Sequence, residues 1–235
     1  MTAGDSFTSS EVAPELSALA FDLDGTLIDS RRDLAGAVNQ VRHELGFEPL
    51  EIPEIVSMVG RGARVLVRRA LPEEVAGEAF DRAFAAFLDR YYDRCLEETR
   101  PFEGVEAMLE ALAPRFPLGL LTNKPERPTR KILTGLGLGE FFGVVIGGDT
   151  LEVRKPDPGT LRVVARRLAV RLPDLLYVGD SATDGETAEA AGIRLALVDW
   201  GFGDAEELAP FDAVLRPKTP AELARGLAGL GGRRG

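Results

Sequence analysis

The hydrophobic pattern of this chain changes character twice. Leu19-Ala20-Phe21 is a short apolar run that stops at charged and small residues, which predicts a buried strand. After Ser30 the apolar positions recur every three or four residues. Leu34, Val38, Val41 and Leu45 make one helix stripe ending at Gly46, and helical stretches follow near 52–59, 63–71 and 73–96. From Pro101 onward strands and helices alternate: helix 103–113, strand 116–121, strand 141–146, helix 159–169, strand 175–178, a helix including 187–191, strand 195–198 and a short edge strand at 213–215. Alternation of this kind predicts an α/β fold, a Rossmann-like, doubly wound and mostly parallel sheet with helices on both faces. The chain then divides into a loose tail (1–15), a discontinuous core (16–31 and 98–235) and an inserted helical layer (32–97).

In such sheets ligands bind outside the carboxyl ends of the strands, and the polar clusters fall there. Asp22 and Asp24 follow the first apolar run and lie two residues apart, so in extended geometry they project from one face about 7 Å apart. Buried carboxylates need a partner, a hydrogen bond or a metal. Gly25 permits a sharp turn, and Thr26 lets successive N–H groups face an anion. Acids that merely cap a turn would give the same letters. Thr122-Asn123 follows the apolar run 118–121, Lys155 is fixed in a turn by Pro156, and Gly179-Asp180-Ser181-Ala182-Thr183-Asp184 follows the strand at 175–178. In the helical insertion, Gly60-Arg61-Gly62 would let the backbone approach a ligand while the guanidinium reaches inward; solvated arginines on a loop are the alternative.

The run DLDGTLIDS, residues 22–30, closely resembles the first motif of the haloacid dehalogenase superfamily, in its phosphatase branch. Thr122-Asn123 resembles its second motif, Lys155 its third, and Gly179-Asp180 with Asp184 its fourth. The resemblance implies Asp22 as nucleophile and Asp24 as general acid/base. Thr122, Asn123 and Gly25 would bind phosphate, with Lys155 neutralising it. Mg²⁺ would be held by Asp22, the Asp24 carbonyl and Asp180, hard oxygen donors that suit it. Asp184 and Thr26 support, Asp184 holding a metal-bound water or orienting Lys155. Residues 32–97 would be a mobile cap that selects the substrate. Gly185-Glu186 departs from the pattern, which usually has an apolar residue after the second acid.

Within the superfamily, the Gly-Arg-Gly loop and the turn Gly201-Phe202-Gly203 look most like the phosphoglycolate phosphatases, which implies hydrolysis of 2-phosphoglycolate with Arg61 on the substrate carboxylate. Other phosphatases of the branch, acting on sugar phosphates, nucleotides or pyrophosphate, and a β-phosphoglucomutase-like phosphotransferase remain alternatives. A Schiff-base chemistry would need a lysine in the insertion, and there is none between Arg31 and Arg100. A binding protein on a retired scaffold fits poorly with both Asp22 and Asp24 retained.

The remaining composition narrows the partners. A net charge of −10 and a pI near 4.8 argue against nucleic acid or an anionic membrane and leave a small phosphorylated metabolite, provided local cations or a metal reverse the potential. One cysteine, Cys95, rules out an internal disulfide framework. With no signal-like start and no long apolar run, a cytoplasmic monomer or homodimer is expected.

Overall fold

The computed structural model describes residues 15–230. Strand β1 (Ala18–Phe21) is followed by the two-residue strand β2 (Ile28–Asp29), then by helices α1 (Arg31–Glu44), α2 (Ile52–Val56), α3 (Ala63–Ala70) and α4 (Gly77–Arg94). The chain returns through β3 (Arg100–Pro101) and continues as α5 (Val105–Leu112), β4 (Leu118–Leu121), α6 (Glu126–Gly135) and β5 (Phe142–Ile146). It finishes with α7 (Gly159–Arg167), β6 (Leu175–Gly179), α8 (Ala182–Ala191), β7 (Arg194–Leu197), α9 (Ala205–Leu208) and α10 (Pro220–Leu230).

The main sheet has the order β5-β4-β1-β6-β7, with every pairing parallel. This is a Rossmann-like α/β core, and β1 lies at its centre because all four of its residues are buried. A strand covered on both faces reads as a continuous apolar run. Alternate residues serve two cores: Leu19 and Phe21 pack with Leu118, Leu120, Leu176 and Val178, whereas Ala18 and Ala20 pack with Leu161, Val164 and Tyr177. The strand order reverses direction at β1, so the crevice beyond the carboxyl ends of β4, β1 and β6 is where this architecture accepts ligands.

Helices α1–α4 leave and rejoin the core at neighbouring points. Ile28 pairs with Pro101 and Asp29 with Arg100 in a two-stranded antiparallel sheet. Beside it the buried Asp33 carboxylate accepts hydrogen bonds from the backbone N–H groups of Glu98 and Thr99 and from the Thr99 hydroxyl at 2.7 Å.

Several elements differ from their predicted extents. The strand expected at 116–121 begins at Leu118, because Pro117 has no N–H to pair. The helix expected at 73–96 starts at Gly77, where extended Ala76 sets the boundary. The edge strand expected at 213–215 is a single bridge between Leu215 and Ala196. Helix α6 has no counterpart in the sequence reading, since Pro125 and Pro128 suggest a break; Pro128 instead falls in the first turn, where proline is tolerated. The expected tail falls almost wholly outside the described residues, and at the other end Gly229 and Leu230 close α10. Among the described residues no helix is long and apolar enough to cross a membrane.

Candidate active site

Asp22 leaves β1 with its N–H bonded to the Val178 carbonyl, which holds it beside the end of β6. Gly25, at φ 85°, then turns the chain sharply; a side chain there would meet the Asp180 carboxylate at 2.0 Å. Thr26 donates its hydroxyl to Asp180 Oδ1 at 2.8 Å, and the Phe202 N–H donates to Asp180 Oδ2 at 2.8 Å. The Gly201-Phe202-Gly203 turn thus wraps Asp180. A Cβ on Gly203 would fall 1.9 Å from the Asp180 carbonyl.

Lys155 is buried and reaches Asp22 Oδ1 at 2.8 Å and Asp184 Oδ1 at 2.7 Å. Asp184 is committed on both oxygens: Oδ1 also faces the Tyr177 hydroxyl at 2.8 Å, and Oδ2 accepts from the Ser181 hydroxyl at 2.6 Å and from the Ser181 N–H. The Asp184 N–H in turn donates to Ser181 Oγ, a capping box at the start of α8 that fixes the Asp184 carboxylate beside Lys155. Asp22 is different. Its contact with Lys155 is an ion pair without hydrogen-bond alignment, so Asp22 Oδ1 is a buried acceptor with no hydrogen-bond partner among the described residues.

Electrostatics follow from this crowding. Burial pushes the Asp22 carboxyl up to about 7, with Lys155 opposing the rise and Asp184 adding to it. Burial, then the charges of Asp184 and Asp22, hold Asp180 well above the usual carboxylate range. Asp184 also feels burial, yet the charge and hydrogen bond of Lys155 keep it below that range. Burial alone would lower the Lys155 ammonium, but Asp184 and Asp22 together raise it. Carboxylate oxygens of Asp22, Asp180 and Asp184 lie within 4.8 Å of one another, and a divalent cation fits this donor set. It would relieve the repulsion that raises Asp22 and Asp180 and would give the orphaned Asp22 oxygen a partner.

Asp24, on the same turn, accepts from the Ser30 hydroxyl and pairs with Lys124 Nζ at 2.9 Å. Thr122 and Asn123 follow β4, and the Asn123 amide donates to the carbonyls of Gly60 and Lys155. These groups line a cavity of about 470 Å³ between the sheet and the inserted helices. Its far wall is mostly apolar, built from Ile52, Val56, Leu66 and Phe87, with Tyr91 beside Lys124.

The structure therefore gathers Asp22, Asp24, Gly25, Thr26, Lys155, Asp180 and Asp184 around β1 and β6, and Thr122 and Asn123 beside them. Arg61 it places elsewhere. Gly60 and Gly62, at φ 109° and 94°, turn the loop backbone toward Asn123, and the guanidinium projects outward to Glu186 at 2.9 Å. Arg61 does not line the cavity, contrary to the sequence expectation. Glu186, the residue that departs from the motif, is its partner, and neighbouring Gly185 is small because a Cβ would collide with Phe211 at 2.4 Å. Lys124, Tyr91, Tyr177 and Ser181 were not singled out by the sequence. Only Ser181, three residues before Asp184, carried a readable signal, that of a helix cap.

Comparison with known proteins agrees with this geometry. Residues 19–198 match the family model described as haloacid dehalogenase-like hydrolase. A Chromobacterium violaceum protein named phosphoglycolate phosphatase is 40% identical over 198 residues, covering 82% of this chain and 89% of that protein. One of the same name from Rhodospirillum rubrum is 42% identical over 193 residues, 79% of this chain and 80% of the relative. A crystal structure from Haemophilus somnus, described as a predicted phosphoglycolate phosphatase, superposes with a TM-score of 0.84 at 26% identity, over 89% of this chain and 97% of that one. The chain belongs to the haloacid dehalogenase-like hydrolase family, and within it this is a phosphatase, a phosphoric monoester hydrolase.

Proposed function

We propose that this enzyme hydrolyses a small phosphate monoester through a phosphoryl group carried on Asp22, with 2-phosphoglycolate as the first substrate to test. The observation that carries the reading is the Asp22 carboxylate itself: buried, held by Lys155, short of hydrogen bonds, and opening onto a cavity that also receives Asp24. An Asp22 oxygen forms a bond to phosphorus as the ester P–O bond breaks, and Asp24 gives its proton to the departing alcohol. Asp24 then takes a proton from the attacking water, and the Asp22–phosphorus bond breaks to release phosphate. Thr122, the Asn123 backbone and the turn at Gly25-Thr26 would orient the phosphoryl oxygens, while Lys155 balances their charge. A divalent cation such as Mg²⁺, held by Asp22, the Asp24 carbonyl and Asp180, would supply Lewis-acid neutralisation of the phosphoryl group. Residues 32–97 would act as the cap that shuts bulk water from the cavity.

Acid quenching during turnover of a monoester radiolabelled on phosphorus tests this. Label is expected on the wild-type chain and absent from Asp22→Asn; equal labelling of both would assign the covalent step to another residue. The names of the relatives support 2-phosphoglycolate. The apolar far wall and the 470 Å³ volume favour a second reading, a bulkier monoester. Phosphate release across a panel running from 2-phosphoglycolate to sugar phosphates and nucleotides separates the two.

A further inference from the structure

The cavity holds a buried cation that the mechanism above leaves without a task. Lys124 follows Asn123 in the loop after β4 and is 6% exposed. Its ammonium lies 2.9 Å from Asp24 Oδ1, hydrogen-bonds the Tyr91 hydroxyl from α4, and sits 4.4 Å from the centre of the Tyr91 ring. An ammonium has three donors, so at least one remains for a further acceptor beside the Asp24 ion pair and the bond to Tyr91. Among the described residues, the lysines and arginines lining the cavity are Lys124 and Arg31. Arg31 is already taken: it donates to both Asp29 oxygens, at 2.9 and 2.6 Å, and lies over the Phe202 ring. Arg61 points away.

We propose that Lys124, aligned by Tyr91, is the residue that recognises a carboxylate carried on the carbon next to the phosphoester oxygen. This deepens the reading of a 2-phospho acid substrate and rests on it. Asp24 must come within about 3 Å of the leaving oxygen to protonate it. In a 2-phospho acid the carboxylate is attached one carbon beyond that oxygen. A cation in direct contact with Asp24 therefore falls within ion-pair reach of the carboxylate, where a charge-assisted bond discriminates strongly. A neutral alcohol at the same place could accept from that donor but would bring no charge to pair with the ammonium.

The test compares kcat/KM for 2-phosphoglycolate with that for 2-hydroxyethyl phosphate, a near-isostere lacking the charge, in wild type, Lys124→Met, Lys124→Arg and Arg31→Ala. Taking the ratio cancels any loss that Lys124→Met causes through Asp24. The wild type is expected to prefer the acid, Lys124→Met to lose that preference by about 100-fold, Lys124→Arg to keep part of it, and Arg31→Ala to keep it. Melting curves confirm that each variant is folded, and Lys124→Arg carries the test if Lys124→Met is not. A preference that survives in folded Lys124→Met, or, where that variant does not fold, one that Lys124→Arg leaves unchanged, overturns the assignment while leaving the substrate reading intact. Loss of preference in Arg31→Ala instead moves the recognition to Arg31. A wild type with no preference overturns the assignment together with the substrate reading.

Discussion

Two buried aspartates, Asp33 at the junction of the inserted helices and Asp22 at the end of β1, are partnered in opposite ways. Asp33 is enclosed by donors, two backbone N–H groups and a hydroxyl, with the Arg94 guanidinium 3.9 Å away, so both of its oxygens are met from within the fold. Asp22 has a lysine beside it but no hydrogen bond on Oδ1, and two further carboxylates crowd it. The first arrangement is finished; the second is complete only when something else enters. Burial alone would not have told them apart.

That contrast can be broken most sharply by Asp22→Asn. Turnover should fall by about 10⁴-fold or more, while the melting temperature stays level or rises, because a poorly partnered buried charge has been removed. A marked loss of stability would mean that Asp22 is a structural acid after all. Asp33→Ala should do the reverse. It leaves the donors of Glu98 and Thr99 unmatched, at a cost of about 2–4 kcal/mol in denaturant unfolding, and a loss below about 0.5 kcal/mol would show the junction to be held by other contacts.

A smaller effect should appear with pH. The Asp22 carboxyl rises from 3.8 to about 7 on folding, so the metal-free folded state binds this proton more tightly than the unfolded chain. The stability it contributes is full below its unfolded value and is lost as pH climbs toward about 7. Mg²⁺ should therefore raise the melting temperature more near pH 8 than near pH 5, measured by differential scanning fluorimetry with and without the ion. Equal shifts at both would uncouple Asp22 from the metal. The smallest change belongs to Arg61→Ala. Its pair with Glu186 is half-exposed and worth at most about 0.5 kcal/mol, so KM for 2-phosphoglycolate should move by less than about threefold. A large rise confined to that substrate would bring Arg61 back to the carboxylate.

Residues whose position follows from where a strand stops were legible in the sequence: Asp22, Thr122 and Asp180 each come just after an apolar run, and a parallel sheet brings those ends together. Pairings that depend on side-chain direction were not. Tyr177 reads as one more apolar position of β6, and nothing local says that its hydroxyl meets Lys155. Lys124 looks like any loop cation until α4 is packed over it. The glycines around Arg61 suggested a backbone close to a ligand with the guanidinium inward; the backbone lies against Asn123 and the guanidinium on Glu186, a direction that the spacing of glycines does not encode. Helix α6 escaped because its prolines weigh against a helix everywhere except in the first turn, and β2 and β3 are too short to carry a period.

The central position of β1 has a consequence for how the molecule is made. Its two neighbours are β4 and β6, and the glycine turn that encloses Asp180 comes later still. During synthesis the segment bearing Asp22 emerges before either of its neighbours, so it cannot be hydrogen-bonded on both edges until β6 has followed. The cluster around Asp180 is therefore assembled only once the Gly201-Phe202-Gly203 turn has emerged, although Asp22 precedes every other member of it.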